Sequence, residues 1–113
     1  MIKIGVTQLP AGVSQFLVRL CGEKVGCADS PWSPVGTPVT FDSSFANQTI
    51  TSLLLWLYPY VDPYWEYSKS IYVGWPLVDG ATYVILALDQ VLQLYGAAPL
   101  PTLDYRNLEA IFA

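Results

Sequence analysis

Short runs of alternating apolar and polar residues, each cut off by glycine or proline, confine this chain to β-strands. Ile2, Ile4 and Val6 fall on one side of an extended backbone, with Lys3, Gly5 and Thr7 on the other. A period of two suits a half-buried strand, because successive side chains point to opposite faces. The pattern covers residues 2–9 and stops at Pro10-Ala11-Gly12. Residues 16–21 repeat it through Phe16, Val18 and Leu20, and a turn over Gly22 to Gly26 follows. The stretch from Asp29 to Pro38 holds Pro31, Pro34, Gly36 and Pro38. Proline withholds the amide hydrogen that a sheet ladder needs, so this stretch reads as a loop or an edge connection.

Residues 37–42 alternate again through Val39 and Phe41, and residues 43–47 are turn-like. Thr49 to Tyr58 is the strongest continuous segment, and its β-branched and aromatic content favours a strand over a short buried helix. Residues 67–75 place Tyr67, Ile71, Val73 and Trp75 on one face and Ser68, Ser70 and Tyr72 on the other. Asp79-Gly80 signals a turn. Residues 81–88 are apolar on both faces, as an interior strand would be, and residues 90–95 continue as a further strand. After a break at 97–101, Thr102 is placed to cap a short C-terminal helix with Leu103, Leu108, Ile111 and Phe112 on one side. About seven short strands in 113 residues predict one all-β domain over 1–113. Its expected form is a small β-sandwich or barrel of immunoglobulin-like or jelly-roll-like type.

Cys21 and Cys27 flank the Gly22 to Gly26 turn. A hairpin there would set the sulfurs across neighbouring strands, where a disulfide suits an oxidising compartment or a thermophile. The same spacing equally fits two small buried apolar residues, since spacing alone does not establish a bridge.

Such a domain holds a limited number of apolar side chains. Here 53% of residues are apolar and only 12% are charged, against about 25% charged in an average soluble domain. The surplus must stay outside the core, and contiguous exposed apolar surface marks an interface. The net charge is −4, and Lys3, Arg19, Lys24, Lys69 and Arg106 are scattered. With no basic footprint, nucleic acid is not an expected partner. The longest apolar runs, Leu53 to Tyr58 and Tyr83 to Leu88, fall far short of the roughly 18–20 residues of a transmembrane helix. Met1-Ile2-Lys3-Ile4 starts directly on a strand pattern, so no secretory signal is visible there.

Catalytic constellations are not apparent. The chain has no histidine, so a serine or cysteine nucleophile lacks its usual base. Two thiols without histidine do not make a zinc site, and no glycine-rich phosphate loop follows a strand. No enzyme, metal or cofactor is expected. Asp62 and Glu66 beside Pro63-Tyr64-Trp65 are the remaining acid pair of interest for glycoside chemistry. Asn47-Gln48-Thr49 matches the glycosylation triplet.

The aromatic residues carry the functional expectation. Tyr58, Tyr60, Tyr64, Trp65, Tyr67, Tyr72 and Trp75 crowd into positions 58–75. Tyr and Trp offer large contact area with a polar tip, which suits interface hot spots. Together with Leu108, Ile111 and Phe112 they form the expected association surface. The expected role is a structural subunit of a larger assembly, such as a virion (capsid or accessory) protein or an extracellular filament component. Its partners would be copies of itself or other assembly subunits. The alternative is a carbohydrate-binding module with Trp65, Tyr67 and Trp75 as a stacking face.

Overall fold

The computed structural model describes residues 1–59, 68–88 and 91–96. Alternation in the sequence becomes strands β1 (Ile2–Thr7), β2 (Gln15–Gly22), β3 (Gly26–Asp29), β4 (Ser33–Pro34) and β5 (Val39–Phe41). A single 3-10 turn, Ser43–Phe45, leads to β6 (Thr49–Tyr58), β7 (Ser68–Pro76), β8 (Thr82–Leu88) and β9 (Val91–Gly96). Among the described residues there is no α-helix, and none is long and apolar enough to cross a membrane. The expected C-terminal helix from Thr102 lies outside the described residues.

Two sheets pack face to face as a β-sandwich. One has the order β5-β1-β8-β9; the other has β3-β2-β6-β7, with β4 also on β2. Neighbours are antiparallel except β1 and β8, which run parallel with Ile4 beside Tyr83 and Val6 beside Ile85. The inward-facing residues supply one core. Ile2, Ile4, Tyr83 and Ile85 come from the first sheet, and Phe16, Val18, Leu20, Leu53 and Leu55 from the second. All nine are fully buried. Truncating one of the leucines to alanine would cost about 2–5 kcal/mol.

The proline-rich stretch after Asp29 is partly strand. β3 pairs with the Arg19–Gly22 end of β2, and β4 pairs with Gln15 and Phe16. Between them Pro31 interrupts the ladder. Buried Ser30 repairs the gap: its backbone N–H donates to Val18 O at 2.8 Å. Its hydroxyl accepts from Val18 N at 3.0 Å and donates to Pro31 O at 3.0 Å. A hydroxyl is the right group here because it donates and accepts at once.

β6 carries a slip in its alternation. Ile50 faces inward, and so do Leu53, Leu55 and Leu57, although Ile50 and Leu53 are three apart. Thr51 is the inserted residue. Ser52 pairs with Cys21 and Tyr72, whereas Ile50 pairs with Gly22 and Trp75. The Thr51 hydroxyl donates to Cys21 O at 3.2 Å, tying the bulge to β2. On β7 the compensating irregularity falls at Val73-Gly74, where Gly74 takes a φ of +76°. A side chain there would be strained, and it would meet the Tyr72 ring.

The β2–β3 hairpin is anchored twice. Cys21 and Cys27 are directly paired and joined by a disulfide. Closing so short a loop removes roughly 2 kcal/mol of unfolded-chain freedom by the chain-entropy relation. Beneath the turn, buried Gln48 accepts from Lys24 N at 2.8 Å and Val25 N at 3.2 Å, and its amide donates to Ser44 O. A Cβ on Gly22 would lie 2.4 Å from Gln48 Oε1, so only glycine leaves room for this side chain. Gly22→Ala and Gln48→Ala are each expected to lower stability by about 1–3 kcal/mol, the cost of orphaning buried polar groups. Chemical denaturation of the two variants and their combination would show a double effect well below the sum, because both act on one network. Full additivity would mean that Gly22 and Gln48 are not coupled.

Candidate functional site

The outward face of the second sheet is built by parity and register. With Phe16, Val18 and Leu20 inward, Leu17 and Arg19 point out. With Leu53, Leu55 and Leu57 inward, Leu54, Trp56 and Tyr58 point out. Register sets Gln15 beside Tyr58, Leu17 beside Trp56 and Arg19 beside Leu54. Leu17, Leu54 and Trp56 are half-buried, and Tyr58 is 60% exposed. Trp32, between β3 and β4, stands edge-on to Tyr58 with ring centroids 6.1 Å apart and is itself exposed. The result is a strip of Trp32, Tyr58, Trp56, Leu17 and Leu54 on one side of the domain. At the β7 border, Tyr72 is 75% exposed.

One charged pair borders this strip. Arg19 grips Asp29 with two hydrogen bonds, Nε to Oδ1 at 2.6 Å and Nη2 to Oδ2 at 3.2 Å. The same guanidinium lies 4.7 Å from the centroid of the Trp56 ring. A cation over a ring face is attracted by the ring quadrupole, so Asp29 positions Arg19 and Arg19 covers Trp56. The hydrogen bond from Arg19 holds the Asp29 carboxyl below the usual carboxylate range, and the charge of Arg19 acts in the same direction.

The expected surface residues divide into three groups. Tyr58 and Tyr72 stand on the outer face as expected. Trp75 does not: it is only 7% exposed, with its ring centroid 6.3 Å from that of Tyr83 on the facing sheet. The reason is parity, because Trp75 shares the inward side of β7 with Val73 while Tyr72 takes the other. A sugar-stacking face of Trp65, Tyr67 and Trp75 therefore loses Trp75. Tyr60, Tyr64, Trp65, Tyr67, Leu108, Ile111 and Phe112 lie outside the described residues, as do Asp62 and Glu66. Conversely, Trp32, Trp56, Leu17 and Leu54 were not expected at a site. The signal for Leu54 and Trp56 was present in the alternation of β6; Trp32 is brought in only by the pairing of β4 with β2.

Comparison with protein-family models, with curated proteins and with solved structures gives no match to this chain.

The depressed carboxyl sets a pH dependence. Its folded-state value lies below the ordinary unfolded aspartate value of about 3.9. The stabilisation is therefore complete above that unfolded value and is lost as pH falls through the lower folded one. Wild-type protein is expected to melt above Asp29→Asn near neutrality, and the gap should close under strongly acidic conditions. Thermal unfolding across pH measures it; a gap that persists unchanged in acid would rule out the ion pair as its source.

Proposed function

We propose that this protein is a non-catalytic building block of a larger assembly, of the kind that forms virus particles or surface filaments. It associates with further copies or with other subunits through aromatic and apolar surface. The observation that carries this reading is the outer face of the second sheet, where exposed Trp32 and Tyr58 adjoin half-buried Trp56, Leu17 and Leu54, with Gln15, Arg19 and Ser70 beside them. An antiparallel sheet with a solvated outer face normally alternates apolar in and polar out. Here both faces of β6 carry apolar residues over its Leu53 to Tyr58 half.

The mechanism is associative. Removing apolar surface from water contributes roughly 25 cal/mol per Å². Few charges lie in the strip, so little hydration is lost on contact, and Tyr58 and Trp32 can keep their polar tips at the rim. The Arg19–Asp29 pair beside Trp56 supplies orientation more than affinity, as charged groups at interfaces generally do.

Light scattering coupled to size exclusion tests the reading. The protein is expected to form oligomers or defined complexes as concentration rises, and Trp32→Ser combined with Tyr58→Ser is expected to shift it toward the monomer without lowering its melting temperature. A wild-type chain that stays monomeric at high concentration and needs no partner for solubility would overturn the proposal.

A further inference from the structure

The triplet Asn47-Gln48-Thr49 takes no part in the aromatic strip. We infer that Asn47 is an acceptor of an N-linked glycan, and that the chain is processed on the oxidising side of a membrane. The triplet alone is a weak sign, since it requires only three residues. The fold adds four observations to it.

First, Asn47 is exposed and its side-chain amide has no hydrogen-bond partner among the described residues. It sits at a φ of 61°, on the turn between the 3-10 segment and β6. Second, the three residues alternate in direction. Gln48 is buried and fixed by its bonds to Lys24, Val25 and Ser44, while Asn47 and Thr49 remain accessible to different degrees. The middle residue thus holds the backbone while the two residues that matter for transfer stay outside. Third, Asn47 and Thr49 border an open groove of about 600 Å³, lined also by Pro76, Leu77, Val78 and Asp79. That groove gives a first sugar room beside the acceptor. Fourth, Cys21 and Cys27 are joined. Disulfides persist in the same compartments in which asparagine-linked sugars are attached.

The transfer balances with one co-reactant, a lipid-linked oligosaccharide phosphate. A bond forms between Asn47 Nδ2 and the anomeric carbon of the first sugar. The bond from that carbon to the phosphate oxygen breaks, and its electron pair leaves with the lipid phosphate. Nδ2 gives up one proton, which the departing lipid phosphate takes up; nothing is oxidised or reduced. The placement also spares the aromatic strip. β6 runs from Thr49 to Tyr58, and at about 3.3 Å per residue a strand of that length separates its ends by roughly 30 Å.

Mass spectrometry of the protein from its natural source tests this. The peptide containing Asn47 is expected to carry a saccharide mass increment. Because Asn47 holds a positive φ, Asn47→Gln brings a backbone cost, so the deciding variants are at Thr49. Thr49→Ser, which keeps the hydroxyl, should retain the increment, and Thr49→Val, which keeps the branched shape, should lose it. An Asn47 peptide found wholly at its unmodified mass, or an increment that survives in Thr49→Val, would overturn the inference.

Discussion

Ile50, Leu53, Leu55 and Leu57 commit one side of β6 to the core, and the second sheet is arranged around that commitment. β2 and β7 flank β6, and their registers are fixed by matching Phe16, Val18, Leu20, Val73 and Trp75 to the same side. A shift of one residue in either pairing would turn an entire apolar set into water. The bulge at Thr51 is the exception that makes this work. It lets Ile50 return to the core although it lies an odd number of residues, three, from Leu53. It also brings Thr51 within reach of Cys21 O, next to the disulfide.

Much of the fold was legible in local pattern. The strands at 2–7, 15–22, 49–58, 82–88 and 91–96 follow alternation or apolar runs, and several of their ends fall at glycine, proline or an Asp-Gly turn. Long-range pairing was not legible. Nothing in Ile2–Thr7 or Thr82–Leu88 announces that they lie side by side in parallel, with β5 on the other edge of β1 and the remaining intervening strands in the second sheet. β3 follows the hairpin expected around Gly22 to Gly26, whereas the two-residue β4 lies in the proline-rich stretch, where the sequence left a loop and an edge connection open.

The site was legible only in part, for a related reason. Of the described aromatics in positions 58–75, Tyr58 and Tyr72 reach the surface and Trp75 does not. Tyr72 and Trp75 are close in the chain, yet one faces water and the other the facing sheet. Trp32 and Tyr58 are far apart in the chain, yet their rings meet because β4 and β6 both border β2 near Gln15 and Phe16. Charge pattern failed similarly. Arg19 read as one of several scattered cations, and its dual role toward Asp29 and Trp56 depends on cross-strand geometry.

The short strands along β2 also limit what can pair with this edge of the sheet. β3 and β4 are four and two residues long, with Pro31 between them and Pro34 at the end of the second. An incoming chain would find few consecutive amide and carbonyl groups there, so continuous sideways extension of the sheet is disfavoured along this border. Strand addition at this margin is thus disfavoured by the domain's own backbone chemistry, a restriction that does not apply to the outward-facing side chains of the sheet.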